Sequence, residues 1–177
     1  MITIKKKPLG RNVFVLFLLF VKMGIAQPTT ELNLSKIDYK QVESLFLQKL
    51  NKHREEKGLT KLQTDEVLRL AANDQARYMD STRVVGHIQK IKGKEAPQNR
   101  VRYYKGTHGN IGENCILIYL KKPMQVKYAK TPITVNTIEQ AAEALFLGWK
   151  NSPGHYKNMI EPSFDVASLG FSYSADS

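Results

Sequence analysis

The chain has 177 residues, 42% of them hydrophobic, and carries 27 lysine and arginine against 16 acidic residues for a formal net charge of +11. One cysteine rules out an intramolecular disulfide, so stability has to come from burial. The basic residues are scattered and no nucleic-acid motif accompanies them, which argues against a nucleic-acid partner.

At the start, Lys5, Lys6, Lys7 and Arg11 precede an unbroken apolar run from Val13 to Val21, and Gly24-Ile25-Ala26 places small residues before Gln27. This layout predicts a secretory signal peptide over residues 1–26. Nine apolar residues rise only about 14 Å as a helix, roughly half the hydrocarbon thickness of a bilayer, too little for a spanning anchor. No cysteine follows the run to carry a lipid. Cleavage would remove five basic residues and no acid, leaving 151 residues with a net charge of +6. That length suits one domain with one core. A moderate positive excess favours peripheral contact with anionic surfaces such as phospholipid headgroups or acidic glycans, and it also serves solubility.

Residues 27–37 are mostly polar and aperiodic and read as a flexible leader to a domain over 38–177. Asp38, with Gln41 three residues on, caps a predicted helix whose stripe is Val42, Leu45, Phe46 and Leu50 and which runs until Gly58. A second helix is expected from after Thr64 toward Ser81, striped by Leu68, Ala71, Ala72, Ala76 and Met79. Thr82 to Gly112 is a long basic connection with one helical turn around Asn99 to Tyr104, and connections of that length are usually functional or disordered.

Ile116 to Leu120 reads as a largely buried strand ended by Lys121-Lys122-Pro123. Tyr128 to Thr137 is ambiguous, since Pro132 argues against a central strand. The capping box Thr137-Ile138-Glu139-Gln140 opens a third clear helix with Ile138, Ala142, Leu145, Phe146 and Trp149 on its apolar face, and Pro153 and Gly154 are expected to stop it. Val166 to Tyr173 offers a last strand bearing Leu169, Phe171 and Tyr173. Helices interleaved with a few strands make the fold class α+β.

The strongest motif is Ser152-Pro153-Gly154-His155-Tyr156-Lys157-Asn158-Met159-Ile160, downstream of Gly112-Glu113-Asn114 and of His87. Leu50-Asn51-Lys52-His53-Arg54 with Gly58-Leu59, and Arg100 with Tyr103 and Tyr104, accompany it. In this order and spacing the segments resemble the CAP superfamily of cysteine-rich secretory proteins, antigen five and plant pathogenesis-related proteins. The lack of disulfides and the short loop between Trp149 and His155 resemble its bacterial branch. The resemblance implies a three-layer α-β-α sandwich and an open cleft in which His87, Glu113 and His155 converge. Asn114 would pin the adjacent loop through its amide, with Ser152 in support. His53 and Arg54 would be structural or surface residues.

Two imidazoles and a carboxylate can hold Zn²⁺ with one position open. Without metal, Glu113 would orient an imidazole as a proton-transfer pair or a pH-sensitive binding site. Both readings stand at this level. Many family members contribute a second acid shortly after the tryptophan of the third helix, where this chain has Lys150, Asn151 and Ser152, and Glu143 lies at a different offset. Beyond a strand such as Leu169-Gly170-Phe171 bacterial relatives typically continue into another, whereas this sequence stops at Ser177. The resemblance therefore implies a last strand supplied elsewhere or absent, or a shortened sequence, with an unpaired sheet edge as the consequence. No Gly-x-Ser-x-Gly elbow or His-Glu-x-x-His helix occurs.

Cys115 reads as a small buried hydrophobe, His108 as a solvated loop residue, and Phe146 and Trp149 as core. The expected function is non-catalytic binding of a lipid or other amphipathic small molecule, or of an envelope glycan or protein, by a secreted or periplasmic protein. The alternative is a Zn²⁺-dependent hydrolase using the same cleft.

Overall fold

A computed structural model describes residues 29–107, 109–126 and 131–175. The expected signal peptide over 1–26 and His108 lie outside them. Helix α1 (Tyr39–Glu55) begins where the Asp38 carboxylate accepts the Gln41 amide at 3.0 Å, and Lys52, His53 and Arg54 in its last turn complement the helix dipole. Gly58, at φ +71°, turns the chain back in a conformation that a side chain would strain. Helix α2 (Glu66–Thr82) is capped by Asp65, whose carboxylate accepts from Leu68 at 2.8 Å. The long connection carries α3 (Pro97–Tyr103), docked on α2 where the Tyr104 hydroxyl donates to Asp74 at 3.0 Å.

Strands β1 (Pro123–Met124) and β2 (Ile133–Thr134) pair antiparallel, with Pro123 opposite Thr134. Helix α4 (Ile138–Lys150) opens on the full capping box between Thr137 and Gln140. It packs on α1 with Phe46 and Trp149 edge to face, ring centres 5.3 Å apart. Helix α5 (Pro153–Met159) follows at once. Pro153 and Gly154 therefore do not merely stop α4. Pro153 starts the next helix, because a first-turn residue needs no amide hydrogen and its fixed φ suits the helix.

Two expected strands are not strands. Ile116–Leu120 is extended but makes only an isolated bridge, Leu120 to Val135, and in Val166–Tyr173 only Val166 bridges, to Gln63. Apolar patterning signals burial, whereas a strand needs a neighbour for its amides. Here the Leu169 and Phe171 amides donate to side chains instead, Glu43 at 2.9 Å and Asn73 at 3.0 Å. The expected leader is also held in place from residue 30. Thr30 accepts from the Ile138 amide at 3.0 Å, Leu32 donates to Asn136 at 2.8 Å, and Leu32 is only 2% exposed.

Ile116 packs on Gly148 of α4, while Gly170 sits so close to the α2 backbone at Ala72 that a Cβ would come within 2.0 Å of it. The fold is thus α+β, with helices on either side of a middle layer that is extended chain more than hydrogen-bonded sheet. Segments 109–122 and 163–175 line a cavity of about 1060 Å³ in that middle layer. Among the described residues no helix is long and apolar enough to cross a membrane.

His53, in the last turn of α1, packs against Phe146 of α4 and Tyr156 of α5, its Nε2 3.0 Å from the Tyr156 hydroxyl. Burial, then the charges of Lys150 and Lys57, hold its pKa below the ordinary 6.5, against the pull of Glu56. The folded state therefore favours the neutral ring, and between the folded pKa and 6.5 the unfolded chain binds more protons. Stability from this residue is complete above pH 6.5 and is lost as pH falls through the folded pKa. In urea titrations at a series of pH values, His53→Gln is expected to flatten that acid-side slope. An unchanged slope would place the titration elsewhere.

Candidate functional site

His87 stands in the connection after α2, and its backbone is gripped from two sides. The Arg100 guanidinium donates to the His87 carbonyl at 3.2 Å, and the preceding Gly86 carbonyl accepts from Gln75 at 2.5 Å and from the Cys115 thiol at 3.3 Å. Glu113 is carried by the Gly112-Glu113-Asn114 loop. A Cβ at position 112 would lie 2.9 Å from the Phe164 ring and 3.0 Å from Asn158, so only glycine lets this loop approach so closely. Asn114 donates to the His155 carbonyl at 3.0 Å and accepts from Asn158 at 2.9 Å, while Asn158 also donates to the Glu113 carbonyl at 3.3 Å. This ties the Glu113 loop to α5, which bears His155. Ser152 occupies the cap position of α5 without a side-chain capping bond, and its carbonyl accepts from the Tyr156 amide at 2.8 Å.

At the centre, His87 Nδ1 donates to Glu113 Oε1 at 2.9 Å, and Arg100 donates to Glu113 Oε2 at 2.5 Å. The exposure is graded: the Arg100 side chain is 0% exposed, Glu113 17% and His87 48%. A buried cation thus anchors the carboxylate, which orients an imidazole facing solvent. With the proton on Nδ1, the other ring nitrogen of His87 is left as an acceptor. Burial first, and the nearby His87 second, hold the His155 imidazole below its ordinary pKa, so the two rings sense one another.

Cys115 belongs to this cluster. Its Sγ lies 3.6 Å from His87 Nδ1 and 3.7 Å from Glu113 Oε1. The potential donor atoms of His87, Glu113 and Cys115 lie within 4.8 Å of one another, and His155 is not in that compact set. Burial, reinforced by the Glu113 charge, pushes the free thiol up to about 12. It is no nucleophile at neutral pH, and it meets the same ring nitrogen that Glu113 uses, so His87 is not placed between the two as a base.

Two features of the site are not written in its motifs. Arg100 enters as part of a pattern, not as the partner of Glu113, because nothing local marks a charged residue as buried. Cys115 had a usable signal: in extended chain residues two apart point to the same side, which sets it beside Glu113.

An α+β domain with a short helix carrying Ser-Pro-Gly-His and a Gly-Glu-Asn loop, joined around a histidine, a buried arginine and a glutamate, defines the class. The chain belongs to the cysteine-rich secretory protein (CAP) family, whose model matches residues 47–177. It is 26% identical over 129 residues to the uncharacterized protein YkwD of Bacillus subtilis (strain 168), a match covering 73% of this chain and 42% of that protein. Its fold is similar to a solved extracellular protein containing an SCP domain from Bacillus anthracis str. Ames, with a TM-score of 0.58 at 18% identity, over 75% of this chain and 37% of that one. The chain therefore spans less than half the length of either relative.

Proposed function

We propose that this chain is an exported, non-catalytic binding module for a lipid or another amphipathic small molecule. One observation carries the reading, the cavity of about 1060 Å³. It lies just above the range of roughly 300–1,000 Å³ usual for small-molecule sites. Val42, Phe46, Ile116, Leu145 and Phe171 are among its apolar lining, and Arg100, Glu113 and Asn114 are among its polar lining. Such a space suits a ligand with an apolar body and a polar end. Export rests on the cationic and apolar start of the chain, and the net +6 that would remain suits contact with anionic surfaces.

Hydrolysis is the weaker reading. The side-chain donor set of His87, Glu113 and Cys115 fits a Zn²⁺ ion, which when bound would polarise a carbonyl or activate water. The chain's own residues offer little for the proton transfers, because both oxygens of Glu113 are engaged and positions 150–152 are Lys, Asn and Ser.

Protein purified from its native envelope is expected to carry lipid detectable by mass spectrometry, and stripped protein to bind a fluorescent fatty acid saturably. Ala76 is buried on α2 and lines the cavity, so Ala76→Phe should occupy the space. The variant should bind the probe at least about tenfold more weakly with no fall in melting temperature, since the added ring fills a void. No co-purifying lipid and no saturable binding, or binding unaffected by Ala76→Phe, would overturn the proposal.

A further inference from the structure

We infer that His87, Glu113 and Cys115 together form a metal site with a thiolate ligand, selective for a thiophilic divalent cation of the Zn²⁺ type. This goes beyond the binding-module reading and does not depend on what fills the cavity. It also differs from a His87, Glu113 and His155 set in replacing the second imidazole with sulfur.

With metal bonds of about 2.3 Å to sulfur, 2.0–2.1 Å to nitrogen and 2.0–2.2 Å to oxygen, tetrahedral angles place S and N, and S and O, about 3.6 Å apart and N and O about 3.4 Å apart. The side-chain atoms stand at 3.6 Å for Sγ to Nδ1, 3.7 Å for Sγ to Oε1 and 2.9 Å for Nδ1 to Oε1. Two edges of the triangle already match three vertices of a tetrahedron. The third is short because a proton occupies it as a hydrogen bond, and it has to open by about 0.5 Å when a metal bonded as above takes the proton's place.

The surroundings support the same assignment. Arg100 holds Glu113 Oε2 and fixes the carboxylate plane, so Oε1, which the His87 proton occupies in the metal-free chain, is the oxygen that can turn to an ion. In the metal-free chain the Cys115 thiol donates to the Gly86 carbonyl at 3.3 Å, a hydrogen bond that ends when the thiol proton leaves. Partners that orient metal ligands in this way normally contribute tenfold or more to affinity. Two of the ligands come from one segment as Glu-x-Cys and the third from the connection after α2, and the half-exposed His87 side chain leaves the site within reach of solvent.

Binding releases the Cys115 thiol proton to solvent, and the His87 proton moves from Nδ1 to Nε2 so that Nδ1 can donate its lone pair. The thiolate and the carboxylate then neutralise the dication. No electron is transferred.

The probe is Co²⁺, titrated anaerobically into the full chain stripped of metal. The expected result is a one-to-one complex with an intense thiolate-to-cobalt charge-transfer band and four-coordinate ligand-field bands. Cys115→Ser should remove the charge-transfer band and weaken binding at least about tenfold, whereas His155→Ala should keep the band. A wild-type complex without the band, a band that survives Cys115→Ser, or a band lost in His155→Ala would overturn the assignment. X-ray absorption at the zinc edge of the Zn²⁺-loaded wild type needs no variant: one sulfur with nitrogen and oxygen scatterers is expected, and a shell without sulfur refutes the site.

Discussion

Replacing Arg54 with alanine is expected to cost about 4 kcal/mol or more and to leave most of the expressed protein insoluble. Arg54 is 0% exposed at the end of α1, and its guanidinium donates to the carbonyls of Thr60 at 2.8 Å, Met159 at 3.0 Å, Glu161 at 3.1 Å and Phe164 at 3.1 Å. Met159 ends α5, where helix carbonyls have no partner within the helix, so this one side chain satisfies acceptors that nothing local would. A loss of that size is a large share of the roughly 5–15 kcal/mol that holds a typical domain. Urea denaturation monitored by the fluorescence of Trp149 is the measurement. Arg54→Lys should recover part of the loss, because an ammonium keeps the charge but cannot reach four carbonyls from a planar fork. If Arg54→Ala lies within about 1 kcal/mol of wild type, the buried guanidinium is not what joins α1 to α5.

Arg100→Met is expected to destabilise by about 3 kcal/mol and to loosen His87 and Glu113 together. The substitution keeps the apolar stem but strips Glu113 of its 2.5 Å partner, and it frees the carbonyls of His87 and Lys94, each held at 3.2 Å. Most of the cost is the carboxylate left buried without its cation, so adding Glu113→Gln should return at least about 1 kcal/mol. Hydrogen exchange should quicken at residues 86–88 and 112–115 in the single variant and leave the amides of α1 and α4 protected. Strictly additive losses in the double variant would mean that the ion pair contributes nothing beyond its separate parts.

The helices were legible because their signals are short-range. Asp38 with Gln41 and Thr137 with Gln140 are contacts three residues apart, and the apolar stripes that turned α1 toward α4 repeat within two turns. Helix α2 likewise starts after Thr64, on an Asp65 cap, whereas α5 was hidden behind a Pro-Gly pair that reads as a stop and serves as a start. The site was legible in part. His87, Glu113, Asn114 and His155 stand out by motif, and the Asn114 amide joins two of the segments that carry them. Arg54 and Arg100 stand in the matching segments, but their burial was not legible there, since arginine is rarely fully buried and only its partners reveal when it is.

The sequence by itself determined where the long helices begin, which faces they bury, and the family to which the chain belongs. Each of these is written in residue types within a few positions of one another. The tertiary structure alone decided that Ile116–Leu120 and Val166–Tyr173 stay extended without a paired neighbour, that a large cavity lies beside them, and that Cys115 meets His87. It alone decided as well which carbonyls Arg54 satisfies and that Arg100 holds Glu113. Pairing, void volume and the burial of charge depend on groups tens of residues apart, for Arg54 and Met159 a separation of 105. No local propensity encodes such contacts; they exist only once the chain has closed on itself and excluded water.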